Sequence, residues 1–275
     1  MDSAEHFARL LGAHAVAAFA VALALVLLAV LAAWLAFRRF DRRAGAHPAS
    51  LAQRRLLLRL GIAGAMLAAA ALVFAAVSEA LDSRSAMARF DAALAASLRE
   101  QLPPAVLRVF ALLTFAGDRM ARWALGVAVA ALLLWRGQRT LALAWVVALA
   151  GTGTLNTLLK NLFERSRPAY LHGLDVGVHG WSFPSGHSSG AVVAYGMLAY
   201  LAQRLAPPRW RLPALLAATA VAFTTGSSRV FLQVHYASDV LAGFASGLAW
   251  LTLCVLACEW LRLRAPRGAV PRAGA

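Results

Sequence analysis

Four predominantly apolar stretches of this chain run 19 residues or more without a charged side chain: 10–37, 60–78, 140–159 and 240–258. A helix rises about 1.5 Å per residue, so each is long enough to cross roughly 30 Å of hydrocarbon. Three shorter runs, at 123–135, 188–203 and 212–228, become spans if their flanking polar residues reach the interface. On that reading 123–135 begins near Phe115, and the chain crosses seven times. Composition agrees: 61% of the 275 residues are apolar and 14% charged, against roughly 45–50% and about 25% in soluble proteins. A soluble enzyme could not hide that much apolar surface. Two cysteines cannot staple a small scaffold, and the apolar content excludes disorder.

A net charge of +15 is the usual mark of a nucleic-acid partner, but here the cations are sorted along the chain. Arg38, Arg39, Arg42, Arg43, Arg54, Arg55 and Arg59 form one group. Arg136 and Arg139 form a second, Arg204, Arg209 and Arg211 a third, and Arg262, Arg264, Arg267 and Arg272 a fourth. Placing 38–59, 136–139, 204–211 and the tail from Glu259 in the cytoplasm gives that side a balance of +14 and the other +1. Such asymmetry is the positive-inside pattern, with the N-terminus outside and the C-terminus inside, and it leaves no surface for nucleic acid. The first span is read as a retained helix rather than a cleaved signal, because its apolar run is too long for an h-region. Within the external segment 81–117, Phe90, Leu94 and Leu98 recur at helical spacing. Arg89, Asp91, Arg99 and Glu100 stand off that stripe, which suggests a helix on the membrane surface, with a plain connector as the competing reading. In the last helix, Cys254 and Cys258 are read as small buried residues, and Gly243-x-x-x-Gly247 as a close helix contact.

Three polar clusters interrupt the apolar text, and the topology puts all three on the outer face. Lys160 to Pro168 leaves one helix, Phe183-Pro-Ser-Gly-His-Ser188 opens the next, and Ser228-Arg229 with His235 to Asp239 joins the last two. Lys160 is the only lysine among 27 cationic residues, which points to a need for a compact ammonium there. Lys160, Arg167 and Arg229 face few acids (Glu164, Asp175 and Asp239) and suit an anion of charge about −2 to −3. Ser185 and Gly186 stand at a helix N-terminus, where free N–H groups and the dipole favour the same ligand. His235 and Asp239 are four apart and share a helix face, so the carboxylate can orient the imidazole as a nucleophile. His187, on another helix, is free to protonate a leaving oxygen. A metal centre, the competing reading, would want more carboxylates or a third histidine and fewer cations.

The three motifs, K-x6-R-P, P-S-G-H and S-R-x5-H-x3-D, resemble the signature of the type 2 phosphatidic acid phosphatase superfamily. The match is complete at Lys160, Arg167, Pro168, Pro184, Ser185, Gly186, His187, Ser228, Arg229, His235 and Asp239. Ser166 departs from the proline or small residue of many members. The resemblance implies an all-α, polytopic membrane helix bundle, a six-helix phosphatase core over 60–262. An extra N-terminal transmembrane helix and basic cytoplasmic loop (1–59) would precede it, and a basic tail (263–275) would follow. It implies phosphate binding by Lys160, Arg167, Ser185, Gly186 and Arg229. His235 would be the nucleophile that becomes a phosphohistidine, Asp239 its orienting group, and His187 the acid. No metal and no cofactor is expected. The expected protein is a lipid phosphatase of the bacterial inner membrane with a periplasmic site. Polyprenyl diphosphate, such as undecaprenyl diphosphate, is the favoured substrate, with phosphatidylglycerophosphate, phosphatidate and lipid A phosphate as others. Membrane lipids are the expected partners. The alternatives are a lipid phosphotransferase using the same site and a non-enzymatic lipid transporter or scaffold.

Overall fold

The computed structural model describes residues 2–43, 48–82, 84–168 and 180–264, with side chains from 41–43 and 48–55 excluded. Arg42, Arg43, Arg54 and Arg55 as side chains, Asp175, and the tail beyond residue 264 therefore lie outside the described residues. Every regular element described is helical. In chain order they are α1 Ser3–Ala13, α2 Ala15–Arg43, α3 Pro48–Glu79, α4 Ala86–Gln101 and α5 Pro104–Leu113. After a 3-10 turn at Thr114–Gly117 come α6 Arg119–Trp135, α7 Arg139–Phe163, α8 Gly186–Leu205, α9 Pro208–Phe231 and α10 Ala237–Arg264.

Among the described residues, five helices are long and apolar enough to cross a membrane: segments Ala15–Phe40, Leu56–Glu79, Arg139–Phe163, Pro208–Phe231 and Ala237–Arg264. The other two expected spans coincide with α6 and α8. The polarity of α8 follows from its place: it packs against α7, α9 and α10, so Ser188 and Ser189 are buried in protein rather than in lipid. Large apolar side chains such as Leu25, Leu72, Leu132 and Trp135 are exposed instead, as a lipid-facing exterior requires.

Three boundaries differ from the sequence expectation. The basic segment 38–59, expected as a loop, is helical where it is described, α2 running to Arg43 and α3 starting at Pro48. The first apolar run does not begin one helix at residue 10: α1 ends at Ala13, and α2 starts at Ala15. The sixth helix begins at Arg119 rather than near Phe115, because Asp118 caps it, accepting from the N–H of Met120 at 2.7 Å and of Ala121 at 3.4 Å. The expected surface helix is α4, but it does not lie alone. Leu94 and Leu98 pack with Ala8 of α1, and Asp91, placed off the stripe by the sequence, is buried. Positions 91, 94 and 98 share a face at i, i+3 and i+7 as well as 90, 94 and 98 do at i, i+4 and i+8. Packing chose the former.

The bundle interior centres on Trp145 of α7, Val193 and Met197 of α8, and Cys254 and Cys258 of α10. Both cysteines are buried and free, as small apolar residues would be. The indole N–H of Trp145 reaches the Gly126 carbonyl at 2.9 Å, and that of Trp250 the Ala148 carbonyl at 2.9 Å. Each removes a donor that would cost several kcal/mol unsatisfied in hydrocarbon. Gly243 and Gly247 are where α10 meets α8 closely. A Cβ at Gly243 would stand 2.6 Å from the Ser185 carbonyl oxygen, and one at Gly247 2.8 Å from that of Ser189.

Candidate active site

Four helix ends meet at one end of the bundle. Helix α7 stops because Glu164 adopts a left-handed conformation (φ 43°), its N–H closing on the Lys160 carbonyl at 3.0 Å. The chain thereby turns back, and Arg165 and Arg167 point at the α9–α10 connection. A second reversal follows α9. Val234 and His235 both donate their N–H groups to the Arg229 carbonyl, at 3.1 and 3.3 Å, with Gln233 at φ 54° making the turn. The P-S-G-H segment is held from two sides. Phe183 is fully buried against Phe163, with ring centroids 4.9 Å apart, and against Phe74 at 5.6 Å. Its peptide bond to Pro184 is cis. The Ser185 N–H donates to the Asp239 carbonyl at 2.9 Å, tying the start of α8 to the start of α10.

Ser185 is the N-cap of α8: its Oγ accepts from Ser188 N–H at 3.4 Å and from the Ser188 hydroxyl at 2.9 Å. Beside it, Gly186 passes so close to Asn156 that a Cβ would lie 2.8 Å from that amide oxygen. Asn156 in turn donates to the Pro184 carbonyl at 3.2 Å. His187, half-buried, stands against Gly117, where a Cβ would come within 3.0 Å of its ring.

The cations gather as the sequence suggested. Arg229 is buried and donates to Thr114 Oγ1 at 2.9 Å. Lys160 donates to the Trp181 carbonyl and lies in the field of Arg167, Arg229 and Asp239. Arg167 donates to the carbonyls of Gly180 (2.8 Å), Val234 (2.7 Å) and Trp181 (3.1 Å), and its Nη1 stands 3.1 Å from His235 Nε2. A guanidinium only donates, so Nε2 is the accepting nitrogen and the ring proton sits on Nδ1. Nδ1 faces Asp239 Oδ2 at 3.4 Å, an electrostatic contact longer than a well-formed hydrogen bond. Burial pushes the His235 pKa down to about 4; Asp239 opposes that shift, and Arg167 and Arg229 add to it. The imidazole is therefore neutral near pH 7, with the Nε2 lone pair turned towards the cations and accepting from Arg167.

Three groups that the sequence reading passed over belong to the same end. Arg122 of α6 donates to the carbonyls of Gly117 and Gly186, so a fourth cation abuts the P-S-G-H segment. Asp91 and Arg165 reach Asp239 and Ser238. Arg165 sits inside the K-x6-R-P spacing, where position alone gives it no role, and no motif contains Asp91 or Arg122. Glu164 is exposed and serves as the helix cap. Among the described residues, no three of His, Cys, Asp and Glu gather as metal ligands would.

Residues 140–262 match the family model described as PAP2 superfamily. A lipid A 1-phosphatase of Rhizobium etli is 33% identical over 195 residues, 61% of this chain and 76% of that protein. Phosphatidylglycerophosphatase B of Bacillus subtilis is 38% identical over 96 residues; the match takes in 34% of this chain and less than half, 46%, of that protein. The crystal structure of a transmembrane PAP2-type phosphatidylglycerolphosphate phosphatase from Bacillus subtilis superposes with a TM-score of 0.64 at 25% identity. It covers 74% of this chain and 98% of that one.

Proposed function

Because the chain belongs to the PAP2 superfamily, we propose that this end of the bundle hydrolyses the phosphate ester of a membrane lipid through a phosphohistidine on His235. The observation that carries the reading is the setting of His235. One ring nitrogen faces a carboxylate at 3.4 Å, and the other, 3.1 Å from Arg167, is a neutral lone pair among cations. A phosphate arriving at Lys160, Arg167, Arg229 and the N–H of Gly186 takes over the Arg167 donors and frees Nε2; the Ser185 N–H, expected to join them, is held instead by the Asp239 carbonyl. Nε2 then attacks phosphorus, the bond from phosphorus to the lipid oxygen breaks, and His187 gives that oxygen a proton. The phosphorylated imidazole keeps its Nδ1 proton and carries positive charge, which Asp239 stabilises. In the second step His187 takes a proton from water as its oxygen attacks phosphorus, releasing inorganic phosphate and neutral His235. The cations neutralise the developing charge, the part a metal plays in other phosphoryl transfers.

The substrate class is a lipid whose phosphate projects into the interface while its tail stays in hydrocarbon. Polyprenyl diphosphate meets that description. So do phosphatidylglycerophosphate and lipid A 1-phosphate, the substrates in the names of the relatives. The uneven distribution of arginines supports an extracytoplasmic site in an inner membrane. The test is phosphate release by the detergent-purified protein in EDTA from undecaprenyl diphosphate, phosphatidylglycerophosphate, phosphatidate and lipid A, with His235→Ala alongside. Release that survives EDTA and vanishes in the variant is expected, and the order of rates names the substrate. Loss of activity in EDTA would refute the metal-free mechanism.

A further inference from the structure

Asp239 has two oxygens, and different partners hold them. Oδ2 accepts the Tyr236 N–H at 2.9 Å and faces His235. Oδ1 takes Arg165 Nη1 at 2.6 Å. The same Nη1 reaches Ser238 Oγ at 2.7 Å, while Arg165 Nη2 reaches Asp91 Oδ2 at 3.0 Å. Asp91 also receives the Ser238 N–H at 3.2 Å on Oδ1 and the Ser238 hydroxyl on Oδ2. The Arg165 guanidinium lies over the Tyr236 ring, 4.4 Å from its centroid. Asp91 is 2% exposed and Asp239 not at all.

We propose that Asp91 and Arg165 are positioning residues for the phosphatase reaction: a guanidinium clamped between two buried carboxylates fixes how much negative charge Asp239 presents to His235. The inference rests on the reading of His235 as nucleophile. The arrangement is asymmetric. Remove Arg165, and two carboxylates share one buried site, which drives one of them towards protonation. Remove the charge of Asp91, and the guanidinium acts on Asp239 alone, weakening its hold on the imidazolium-like intermediate. At metal-bound histidines, the outer groups that orient the ring are worth about 10–100-fold, and Asp91 and Arg165 stand in the same relation to His235 through Asp239. The layer of α1 and α4, which carries Asp91, thereby becomes part of the catalytic apparatus rather than a cover over it.

His235 is also faced by Arg167 after α7, by Arg229 on α9 and by His187 on α8, all of which the variants below leave in place. The experiment measures wild type, His235→Ala, Asp91→Asn, Arg165→Met and the double variant Asp91→Asn/Arg165→Met as full-length detergent-purified proteins. Asp91→Asn should lower kcat about 10-fold or more with KM within about two-fold, the mark of an interaction made in the transition state. Arg165→Met should move the acid limb of kcat/KM up by about one pH unit. The double variant should bring that limb back, because a lone carboxylate remains. NMR titration of His235 supplies a second readout without turnover: its pKa rises in Arg165→Met and falls in Asp91→Asn. Variants that melt with the wild type yet keep its kcat, pH profile and His235 titration would overturn the proposal while leaving the phosphatase reading intact. Wild-type protein that releases no phosphate from any lipid, or a His235→Ala variant that remains active, would sink that reading instead.

Discussion

Replacing Gly243 with alanine should damage catalysis far more than folding. The new Cβ would lie 2.6 Å from the Ser185 carbonyl oxygen and 2.8 Å from Ser188 Cβ, against an ordinary separation of about 3.5 Å. Neither neighbour is the free end of a flexible side chain. The carbonyl is backbone, and it already accepts the Ser189 N–H at 3.1 Å. Relief therefore requires α8 and α10 to part by roughly 0.7–0.9 Å, which carries the Ser185, Gly186 and His187 backbone away from Asp239 and His235. Overpacking costs about 1–3 kcal/mol, and the gain in helix propensity from glycine to alanine returns about 1 kcal/mol. The net loss is therefore about 0–2 kcal/mol. A displacement approaching 1 Å in the positioning of reactants costs on the order of 100-fold in rate. The control is Gly153→Ala on α7, where a Cβ meets nothing within 4 Å; it should melt at or above the wild type with unchanged activity. Phosphate release and thermal unfolding in detergent measure both quantities. If Gly243→Ala releases phosphate within two-fold of Gly153→Ala, the contact does not set the site.

Stability should follow the charge of His235. Its pKa of about 4 in the fold lies below the unfolded value of about 6.5. Burial of the neutral ring therefore contributes fully above pH 6.5, and that contribution is lost as pH falls towards 4, by about 3 kcal/mol. His235→Phe should flatten this part of the melting profile, and an unchanged profile would contradict it. Gln233 is buried at φ 54°, and among the described residues its amide finds no hydrogen-bond partner. Gln233→Gly removes a left-handed penalty and an unsatisfied amide, so the melting temperature should rise by the equivalent of about 1–2 kcal/mol. Arg122→Met removes the donor to the Gly186 carbonyl and should lower kcat/KM about 10–100-fold, read in the same assay.

The charged residues that converge on His235 were legible because they stand at the edges of uncharged runs, and a helix end is where such a run must stop. Lys160, Ser185, Arg229 and Asp239 needed only the alternation of spans to share one end. Asp91 was not legible. Its neighbours Phe90, Leu94 and Leu98 make an apolar stripe that pushes it outward, and only contacts far away in sequence, with Arg165 and with Ser238 at the start of α10, account for its burial. Arg122 and Arg165 hide for a different reason. In a chain with 27 cationic residues, one more arginine at a membrane interface looks like a charge anchored in the headgroups. The division at residue 14 leaves no compositional trace, since alanine and histidine there interrupt neither the apolar run nor its helical spacing.

The tie between Ser185 N–H and the Asp239 carbonyl also bears on how such a chain is made. Synthesis delivers α7 and α8 to the bilayer well before α10, so the P-S-G-H segment waits without its backbone partner and without the glycine face it rests on. During that interval Lys160, Arg167 and Arg229 line an open end, with no Asp239 to balance them. Arrival of the last span supplies the carboxylate, the backbone acceptor and the close packing surface in a single step. On the proposed mechanism, turnover would therefore report completed insertion: a chain stalled before its final helix would carry the cations proposed to hold phosphate but lack the Asp239 that orients His235.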